Sequence, residues 1–410
     1  MPNDLPVKIL HILDHSLPLH SGYSFRTKNI FRSQKKRGWE PIGLTSPKHE
    51  LSIYGSGSLY EEIDGLRFFR TPMKSLGNNW LLSHFRIIIE LTQRILKVAK
   101  DERPQILHAH SPVLNAVSAM WAGKKLGIPV VYEIRAFWED AAVDHGTYKQ
   151  RSWKYFLVRK VEWWVCRRIK QIAVLCNGVK DDLVERGIDS GKMAVIPNGV
   201  SLDDFDIGKT DEILRRSWDL NGKKVIAFIG SFYRYEGLEL LVAAFSSLLE
   251  SRKDLVLLLV GGGEMEGEIR SQVKKLGIEN YVVMPGRVAH SKISEVYGLA
   301  DFLVYARFSM RLTELVTPLK PLEAMIVGKP LLASDIRGHR ELIQDGETGI
   351  FFKPGNLKSL VEGMERLLED EGLRNRMSSQ GRAWVRKERS WDATTCGYQE
   401  IYDKALRVKR

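Results

Sequence analysis

Short apolar segments alternate along this chain with segments whose apolar residues have helical spacing, and this alternation constrains the fold more than any other feature. Strands that alternate with amphipathic helices form parallel sheets with helices on both faces, so the predicted fold class is α/β. The predicted strands of the first half are Lys8–Leu13, Pro41–Thr45, Leu66–Arg70, Ile106–Ala109, Pro129–Glu133, Gln171–Leu175 and Met193–Ile196. Those of the second half are Lys224–Gly230, Leu255–Gly261, Tyr281–Pro285, Phe302–Tyr305, Pro330–Ala333 and Gly349–Phe352.

The alternation occurs in two separate runs, which predicts two doubly wound, Rossmann-like domains. A length of 410 residues is sufficient for two or three domains, each with its own core. Turn-forming residues cluster from Pro197 to Asp206, so the predicted boundary separates residues 1–200 from residues 201–389. Two domains of this type that face each other across a cleft place the carboxyl ends of both sheets against one ligand.

The net charge of +12 favours an anionic partner such as a phosphate group, nucleic acid or an acidic membrane surface. Nucleic acid is the least favoured, because the sequence has no zinc-finger spacing, helix-turn-helix signal or RNP-type strand. No apolar run is long enough to span a bilayer, and the segment Val7–Leu13 is too short for a signal peptide. Three cysteines without metal-binding or redox spacing fit a cytoplasmic protein.

A polar turn, a helix that starts at prolines and a glycine stop follow one another in residues 317–330. Proline is tolerated in the first turn of a helix because the amide that it lacks has no partner there. Lys320 and Glu323 would lie in that first turn, at the partially positive end of the helix. A lysine at a helix N-terminus suits a phosphate, and a nearby carboxylate suits sugar hydroxyls. This segment therefore predicts a site for a nucleotide sugar.

Several motifs occur in a fixed order along the chain, and together they are specific although each is weak alone. The motifs are Ser21-Gly22, Val195–Val200, Phe228–Ser231, Val260–Glu264, Pro285–Val288, the helix that carries Glu323, and Gly346–Ile350. In this order the chain resembles glycosyltransferase family 4, a family of retaining enzymes with the GT-B fold. The resemblance implies that a helix at about residues 390–410 crosses back onto the first domain.

The resemblance also implies a reaction: transfer of a sugar from a UDP- or GDP-linked donor with retention of configuration and with no metal or other cofactor. The segments Leu13–Tyr23 and Glu314–Lys320 resemble the branch that is associated with exosortase and exopolysaccharide gene clusters. The implied acceptor is a growing glycan or polysaccharide precursor linked to a lipid. The implied location is the cytoplasm, with peripheral contact to the inner membrane face.

The family pattern has two glutamates with seven residues between them, and this chain departs from it. The second glutamate matches Glu323, which the resemblance implies binds the ribose of the donor. The alternative is a glutamate that only complements the helix dipole. The first position falls on Leu315, which cannot bind a sugar in this way, so the adjacent Glu314 is the candidate catalytic carboxylate.

The same resemblance reveals two missing positive charges. The family commonly carries an arginine and a lysine where Ser231 and Glu236 stand here. One branch instead carries a Pro-x-Lys motif shortly before the helix glutamate, and Pro318-Leu319-Lys320 matches it. We therefore predict that Lys320 and Arg234 stabilise the leaving diphosphate, because a fixed charge in a water-poor site strongly stabilises a developing dianion.

Loops that follow predicted strands supply further candidates for donor binding. Arg287 is a candidate for stacking on the base, and a plain strand-to-helix turn is the alternative for its loop. The glycines at 261–263 permit close approach of a ligand to the backbone. The donor-binding candidates are Gly22, Ser231, Gly262, Arg287, Val288, Pro318, Leu319 and Glu323.

The region after the predicted strand Pro129–Glu133 lacks the histidine that many relatives carry near the transferred sugar. Charged residues give this edge a chemistry of its own, so we expect it to bind the acceptor. His108 lies among apolar neighbours and is expected in the core, whereas His110 is expected to face the cleft. The acceptor-binding candidates are His110, Glu133, Arg135 and Glu139.

Two further patterns have a structural alternative. Asp204-Phe205-Asp206 has the spacing of the metal-binding pair of GT-A enzymes, but Asp-rich turns are expected at a domain joint, so we predict no metal site there. Tyr148–Lys170 is dense in basic and aromatic residues, and Trp80–Leu96 is a second apolar candidate. Such segments bind a membrane interface or pack as ordinary amphipathic helices, and we expect a mixture of both.

Three other functions compete with sugar transfer. A non-catalytic subunit would bind the sugar nucleotide without turning it over. An epimerase of the same architecture would change the sugar without an acceptor. A nicotinamide dehydrogenase is disfavoured, because the glycine fingerprint does not follow the first strand.

Overall fold

The computed structural model describes residues 6–19, 21–50, 56–73, 75, 77, 79–144, 149, 152–202, 205 and 212–407. The chain divides into two compact units. Unit 1 comprises Met1–Asn198 and Thr394–Arg410, and unit 2 comprises Gly199–Ala393. Each unit contains one sheet.

The strands of unit 1 are β1 (Lys8–Leu13), β2 (Glu40–Thr45), β3 (Tyr60–Ile63), β4 (Leu66–Phe69), β5 (Ile106–His110), β6 (Val130–Ile134), β7 (Gln171–Val174) and β8 (Met193–Val195). They lie in the order β3-β4-β2-β1-β5-β6-β7-β8, and all neighbours are parallel except β3 and β4. The helices that precede unit 2 are α1 (Gly22–Lys36), α2 (Pro47–Glu50), α3 (Trp80–Glu102), α4 (Val113–Leu126), α5 (Trp138–Asp144), α6 (Trp153–Arg168) and α7 (Asn177–Glu185).

The strands of unit 2 are β9 (Lys224–Ser231), β10 (Leu255–Gly262), β11 (Val282–Gly286), β12 (Phe302–Tyr305), β13 (Leu331–Ser334) and β14 (Ile350–Phe352). Its helices are α8 (Glu212–Ser217), α9 (Leu238–Leu248), α10 (Glu266–Lys275), α11 (Ile293–Leu299), α12 (Arg311–Leu315), α13 (Lys320–Val327), α14 (Arg337–Arg340), α15 (Leu357–Glu369) and α16 (Glu371–Glu388). The chain ends with α17 (Trp391–Thr394) and α18 (Tyr398–Arg407). Short 3₁₀ turns span Ser190–Lys192, Arg234–Glu236, Glu279–Tyr281, His290–Lys292 and Thr395–Gly397.

The sheet of unit 2 reverses its direction of growth in the middle. Its order is β11-β10-β9-β12-β13-β14, with all neighbours parallel. From β9 the chain adds β10 and β11 on one side of β9, and it then adds β12, β13 and β14 on the other side. The loops after β9 and β12 therefore diverge, and a crevice opens between the carboxyl ends of these two strands. Ligands of doubly wound sheets bind at such a switch point.

The central strands are apolar along their whole length because helices cover both faces of a parallel sheet. Every residue of β5 and every residue of β1 except Lys8 is buried. Helices begin where local caps allow it: Ser21 accepts a hydrogen bond from the Ser24 amide at the start of α1. Gly328, at φ +78°, ends α13 in the left-handed conformation, and β13 follows.

Each strand predicted from the sequence is present, with ends within one residue of the predicted ones. β3 was not predicted, because its residues are partly or fully exposed and it pairs only with β4, at the edge of the sheet. The Asp64-Gly65 turn, with both residues at positive φ, is the hairpin signal that indicates it. The predicted C-terminal helix is interrupted by the turn Thr395–Gly397. Among the described residues, no helix combines the length and the apolar character that a membrane span requires.

Two helical glycines should respond to alanine in opposite directions. A Cβ at Gly123 would lie 2.8 Å from the Ile128 carbonyl oxygen, which belongs to the backbone and cannot rotate away, whereas a Cβ at Gly267 has no neighbour within 4 Å. Gly123→Ala should therefore lower the free energy of unfolding by about 1–3 kcal/mol. Gly267→Ala should raise it by about 0.5–1 kcal/mol, because alanine loses less backbone entropy in a helix. Urea unfolding of both variants measures the difference, and equal shifts would contradict the close packing of α4.

Candidate functional site

The carboxyl edge of the unit 2 sheet brings three ionic side chains together at the switch point. Glu236 lies in the turn after β9, Arg307 follows β12, and Lys320 is the first residue of α13. Glu236 Oε1 accepts a hydrogen bond from Lys320 Nζ at 2.5 Å and one from Arg307 at 2.8 Å, while Oε2 accepts from Arg307 Nε at 3.2 Å. We call these three residues the switch-point cluster.

The switch-point cluster keeps its carboxylate ionised below the surface. Burial opposes ionisation of Glu236, but Arg307 and Lys320 outweigh it and lower the pKa of Glu236 to about 2. The side chain of Glu236 is 1% exposed, compared with 11% for Arg307 and 16% for Lys320. The part of the cluster that solvent reaches is therefore cationic.

Gly230, at the end of β9, makes room for Lys320. A Cβ at this position would lie 2.1 Å from Lys320 Cε, so a larger residue would displace the lysine. Lys320 Nζ also lies 4.8 Å from the centre of the Phe228 ring, which adds a cation–π contact. Strand β9 thus fixes both the path and the end of this side chain.

Glu323 lies one turn further along α13 and is half-buried. Its Oε2 accepts a hydrogen bond from the Tyr297 hydroxyl at 2.8 Å, and burial raises its pKa. The Tyr305 hydroxyl donates to the Lys320 carbonyl at 3.0 Å and holds the start of the helix. Of the candidates before α13, Pro318 is buried and Leu319 is half-buried. The predicted helix start with Lys320 and Glu323 in its first turn is confirmed.

The loops after β10 and β11 bring two other donor-binding candidates together. The position of a Cβ on Gly262 lies 3.4 Å from Arg287 Nε, so the arginine side chain passes over the glycine backbone. Arg287 is exposed and Val288 is half-buried. Ser231, at the end of β9, is exposed on the same sheet edge. These positions remain predictions for donor binding.

Arg234 does not join Lys320 in this structure. It lies in the same turn as Glu236, but its side chain is 61% exposed and pairs with Glu268 at 2.8 Å. Arg307, which the sequence analysis did not select, takes the place beside Lys320. Only the strand order reveals this residue, because about 70 residues of chain separate Arg307 from Glu236.

Glu314 has a structural role in this arrangement. Its Oε1 accepts a hydrogen bond from Ser309 Oγ at 2.6 Å, and its Oε2 accepts one from the Arg337 amide at 2.8 Å. The carboxylate therefore caps the short helix α14, which begins at Arg337. The catalytic role of Glu314 stays a prediction, since each carboxylate oxygen can accept a further hydrogen bond.

The acceptor-binding candidates of unit 1 lie in its core. Glu133 is fully buried on β6, beside His110 on β5, and its Oε1 accepts from Arg26 at 2.9 Å and from Arg135 at 3.0 Å. Its Oε2 accepts from the Tyr398 hydroxyl of α18. Burial opposes ionisation, but the arginines hold the pKa of Glu133 well below its usual range. Glu133 is therefore not exposed for direct contact with an acceptor, and its role in acceptor binding stays a prediction.

His110 belongs to a directed chain of hydrogen bonds that extends through this core. Arg135 donates a hydrogen bond to His110 Nδ1 at 2.8 Å. The ring proton of His110 therefore lies on Nε2, which donates to His11 Nδ1 at 2.8 Å. His11 Nε2 then donates to Gln34 at 2.9 Å. These tautomers are assigned from Arg135: an arginine side chain has no acceptor atom, so the His110 nitrogen that faces it must be the acceptor. Burial lowers the pKa of both histidines, so the chain is built from neutral rings.

The same histidines are the group among the described residues whose spacing would suit a metal ion. Ligand atoms of His11, His108 and His110 lie within 4.8 Å of one another. The hydrogen bonds above already use the nitrogens that face each other, and the guanidinium of Arg135 lies against His110. We therefore interpret the group as a hydrogen-bond network. Asp204 and Asp206, for which the sequence predicted no metal, lie outside the described residues.

Glu139 lies in a second buried cluster of unit 1. Its side chain is fully buried, Arg186 donates to its Oε1 at 3.2 Å, and burial raises its pKa. Burial and the charge of Glu139 together raise the pKa of Glu162 to about 8. Glu139 is therefore not exposed for direct contact with an acceptor. In contrast, Gly22 is exposed at the start of α1, after β1, where the sequence placed it.

Comparisons with known proteins decide the family. A profile described as Glycosyltransferase Family 4 matches residues 25–204, and one described as Glycosyl transferases group 1 matches residues 210–384. The chain belongs to this glycosyltransferase family. It is an enzyme of EC class 2.4 that uses nucleotide sugars. The resemblance predicted from the ordered motifs is confirmed at the level of the family.

A curated relative spans nearly the same length. The uncharacterized glycosyltransferase MJ1607 of Methanocaldococcus jannaschii is 24% identical over 378 residues, which cover 89% of this chain and 92% of the relative. Sulfoquinovosyl transferase SQD2 of Arabidopsis thaliana is 25% identical over 399 residues, 94% of this chain and 71% of that protein.

Solved structures confirm the fold class. Sucrose-phosphate synthase from Thermosynechococcus elongatus superposes with a TM-score of 0.76 at 18% identity and covers 98% of this chain and 99% of its own. Both units of this glycosyltransferase are therefore parallel α/β, Rossmann-like domains whose structural neighbours have the GT-B fold.

Replacing Glu162 should change how stability depends on pH. The folded pKa of about 8 exceeds the ordinary value of 4.5, so the folded protein holds a proton that the unfolded chain has lost between these values. The stabilising contribution is complete below pH 4.5 and is lost as the pH rises through 8. Relative to Glu162→Gln, the wild type should therefore lose up to about 1.4 kcal/mol per pH unit from about pH 5 to pH 8.

Urea unfolding at several pH values measures this difference. Glu365→Gln, at an exposed position on α15, is the matched control and should run parallel to the wild type. If Glu162→Gln also runs parallel, Glu162 is not protonated in the folded protein.

Proposed function

We propose that this glycosyltransferase moves a sugar, with retention of configuration and without a metal ion, from a nucleoside diphosphate donor to a lipid-linked precursor of a polysaccharide. The observation that carries the donor side is the first turn of α13 at the switch point, with the ammonium of Lys320 and the carboxylate of Glu323 one turn apart. An HepE structure from Anabaena, described as a complex with UDP and glucose, has a TM-score of 0.74 at 16% identity and covers 97% of this chain and 100% of its own. It supports a UDP-linked donor here, and a GDP-linked donor is the other option that the sequence analysis gave.

The reaction needs charge stabilisation more than covalent help. The bond between the anomeric carbon and the phosphate oxygen breaks, and its electron pair stays on the diphosphate. The acceptor oxygen forms the new bond from the same face, and its proton passes to the released diphosphate. Lys320 Nζ would stabilise the charge that develops on the leaving group, whereas Arg234, the second cation predicted from the sequence, pairs outward with Glu268. Glu323 would hold the ribose through Oε1, because Tyr297 occupies Oε2.

The acceptor side of the proposal rests on an aromatic patch of unit 1, defined as Leu81, Leu82, Phe85, Trp153 and Phe156. Each of these side chains is more than half exposed, although each is apolar. The rings of Trp80 and Trp153 lie 5.4 Å apart in an edge contact and join the N-terminal ends of α3 and α6 into one surface.

Basic groups lie beside the patch. Lys154 Nζ is 5.5 Å from the centre of the Trp80 ring. Glu162, the one acidic residue of α6, is fully buried. An apolar surface with cationic groups suits an anionic membrane interface, where a lipid-linked acceptor would be held. Trp163 and Trp164, further along α6, are half-buried.

Lys320→Ala should strongly reduce turnover and leave the fold intact. Loss of one preorganised charge at a developing oxyanion lowers kcat by about 100- to 1,000-fold. Arg307 still pairs with Glu236 in the variant, so the thermal midpoint should change little. Lys358→Ala, at an 87% exposed side chain, is the matched control. An active Lys320→Ala enzyme would remove the lysine from the mechanism.

Donor turnover by the purified protein tests the function itself. Thermal shifts with UDP, GDP and ADP identify the base, and release of the diphosphate from the matching sugar donor, with and without EDTA, follows the reaction. We expect EDTA-insensitive release, and the anomeric proton coupling of the glycoside product should show retention. Binding without release would favour a non-catalytic subunit. Conversion of the donor sugar without an acceptor would favour an epimerase.

Removing two aromatic side chains should detach the protein from membranes. Trp153→Ser/Phe156→Ser should reduce binding to phosphatidylglycerol-containing vesicles by at least about tenfold, because each buried aromatic ring contributes roughly 1.5 kcal/mol or more. Trp121→Ser, at an exposed tryptophan of α4, is the matched control and should bind normally. Equal vesicle binding by both variants would show that the patch is not the contact surface.

A further inference from the structure

One of the two positive charges in the crevice of the unit 2 sheet belongs to a residue after β12 that the sequence analysis did not select. The turn after β9 contributes the acidic Glu236 and Arg234, whose side chain faces outward and pairs with Glu268 of α10. The second cation beside Lys320 is Arg307, which enters from the end of β12 on the other side of the switch point. Arg307 and Lys320 share one oxygen of Glu236, so the two cationic groups are held side by side.

The charges and exposures of the cluster indicate an anion as its ligand. Two cations against one carboxylate leave one net positive charge. Burial and the neighbouring charge of Arg307 lower the pKa of His339 to about 3, so this adjacent side chain adds none. The carboxylate is the most deeply buried of the three groups, while the guanidinium and the ammonium retain exposed surface. An anion that enters the crevice therefore meets the two cations before the carboxylate.

The cost of burial argues against a purely structural ion cluster. Removing two cations and a carboxylate from water costs several kcal/mol per ion, and an apolar cluster of the same size often stabilises a fold as well. Tight fixation of charges is useful where a ligand has to be met without rearrangement. Gly230, which provides the space for Lys320, is part of the same fixed geometry.

We infer that Arg307 is the second diphosphate-binding cation of this enzyme and that Glu236 is a positioning residue that holds Arg307 and Lys320 at the spacing of the two phosphates. This inference rests on the proposed function and specifies the groups that serve its leaving diphosphate. In this arrangement the turn after β9 contributes the carboxylate of Glu236, which positions the cations. The cations are Arg307, which follows β12, and Lys320, which begins α13.

Comparison of diphosphate with nucleoside binding tests the role of Arg307. Dissociation constants are measured for UDP, GDP and ADP and for uridine, guanosine and adenosine by calorimetry. For the diphosphate that the wild type binds, Arg307→Gln should weaken binding about 10- to 100-fold, because a charge-assisted hydrogen bond is lost. Binding of the matching nucleoside, which has no phosphate, should stay within about twofold. Arg307→Lys should recover part of the loss, since the charge returns without the forked geometry.

A double variant separates the contact from the net charge. Glu236→Gln/Arg307→Gln has the same net charge at the cluster as the wild type but lacks the guanidinium. It should bind the diphosphate more weakly than Glu236→Gln does, by about the factor that separates Arg307→Gln from the wild type, and it covers the case in which the single variant does not fold. Arg376→Gln, at an exposed arginine of α16, is the matched control.

Turnover tests the positioning role of Glu236. Glu236→Gln should bind the diphosphate at least as tightly as the wild type, because the repelling carboxylate charge is gone. Its rate of diphosphate release at saturating donor should fall at least about tenfold, because Lys320 loses its fixed position. A purely structural role would instead lower the thermal midpoint and weaken diphosphate and nucleoside alike.

The outcomes distinguish this inference from the function on which it rests. A wild-type protein that binds none of the three diphosphates would overturn both. A wild-type protein that binds one, with unchanged affinity in Arg307→Gln or with equal affinity in Glu236→Gln and the double variant, would overturn the assignment of Arg307 alone. Full turnover by Glu236→Gln would overturn the positioning role.

Discussion

A buried carboxylate that holds two cations is the interaction on which each unit depends. In unit 1, Glu133 accepts from Arg26 and Arg135, and in unit 2, Glu236 accepts from Arg307 and Lys320. A buried charge is tolerated only when it is paired and hydrogen-bonded, so each carboxylate fixes the positions of both its partners. In unit 1 the network also includes Tyr398, and it thereby fastens the C-terminal helix α18 to the core of the sheet. In unit 2 the corresponding cluster leaves the cationic groups of Arg307 and Lys320 partly exposed at the switch point.

The parallel topology determines where these devices can act. Helices cover both faces of each sheet, so only the strand ends and the loops after them can present polar groups. In unit 2 the order of the strands separates the loops after β9 and β12, and the three charged side chains fill the crevice between them. The proposed function assigns the nucleotide-sugar chemistry to this edge, where ligands of doubly wound sheets bind. The lysine at the start of α13 and the carboxylate one turn later follow from a local sequence pattern, and the arginine beside them does not.

The candidate site could be predicted in part. Lys320 and Glu323 were found because prolines, a glycine stop and helical spacing place them locally in one turn. Arg307 was missed because its link to Lys320 exists only after β12 has paired beside β9. The acceptor candidates His110 and Glu133 lie near the ends of β5 and β6, and Glu139 lies on α5, but all three side chains are buried. A charged residue near a strand end is usually exposed. No sequence pattern indicated that two arginines and a tyrosine would offset the cost of burying Glu133.

The sequence by itself determined every strand except β3, the order of the motifs, the family and the first turn of α13. These features depend on residues that are close together in the chain or on the alternation of apolar and polar positions. Only the tertiary structure decided which charges meet. It placed Arg234 outward with Glu268, gave Glu314 to the cap of α14, and brought Arg307 to Lys320. The physical reason is that an ion pair between distant segments depends on strand order and burial, which neither composition nor spacing specifies.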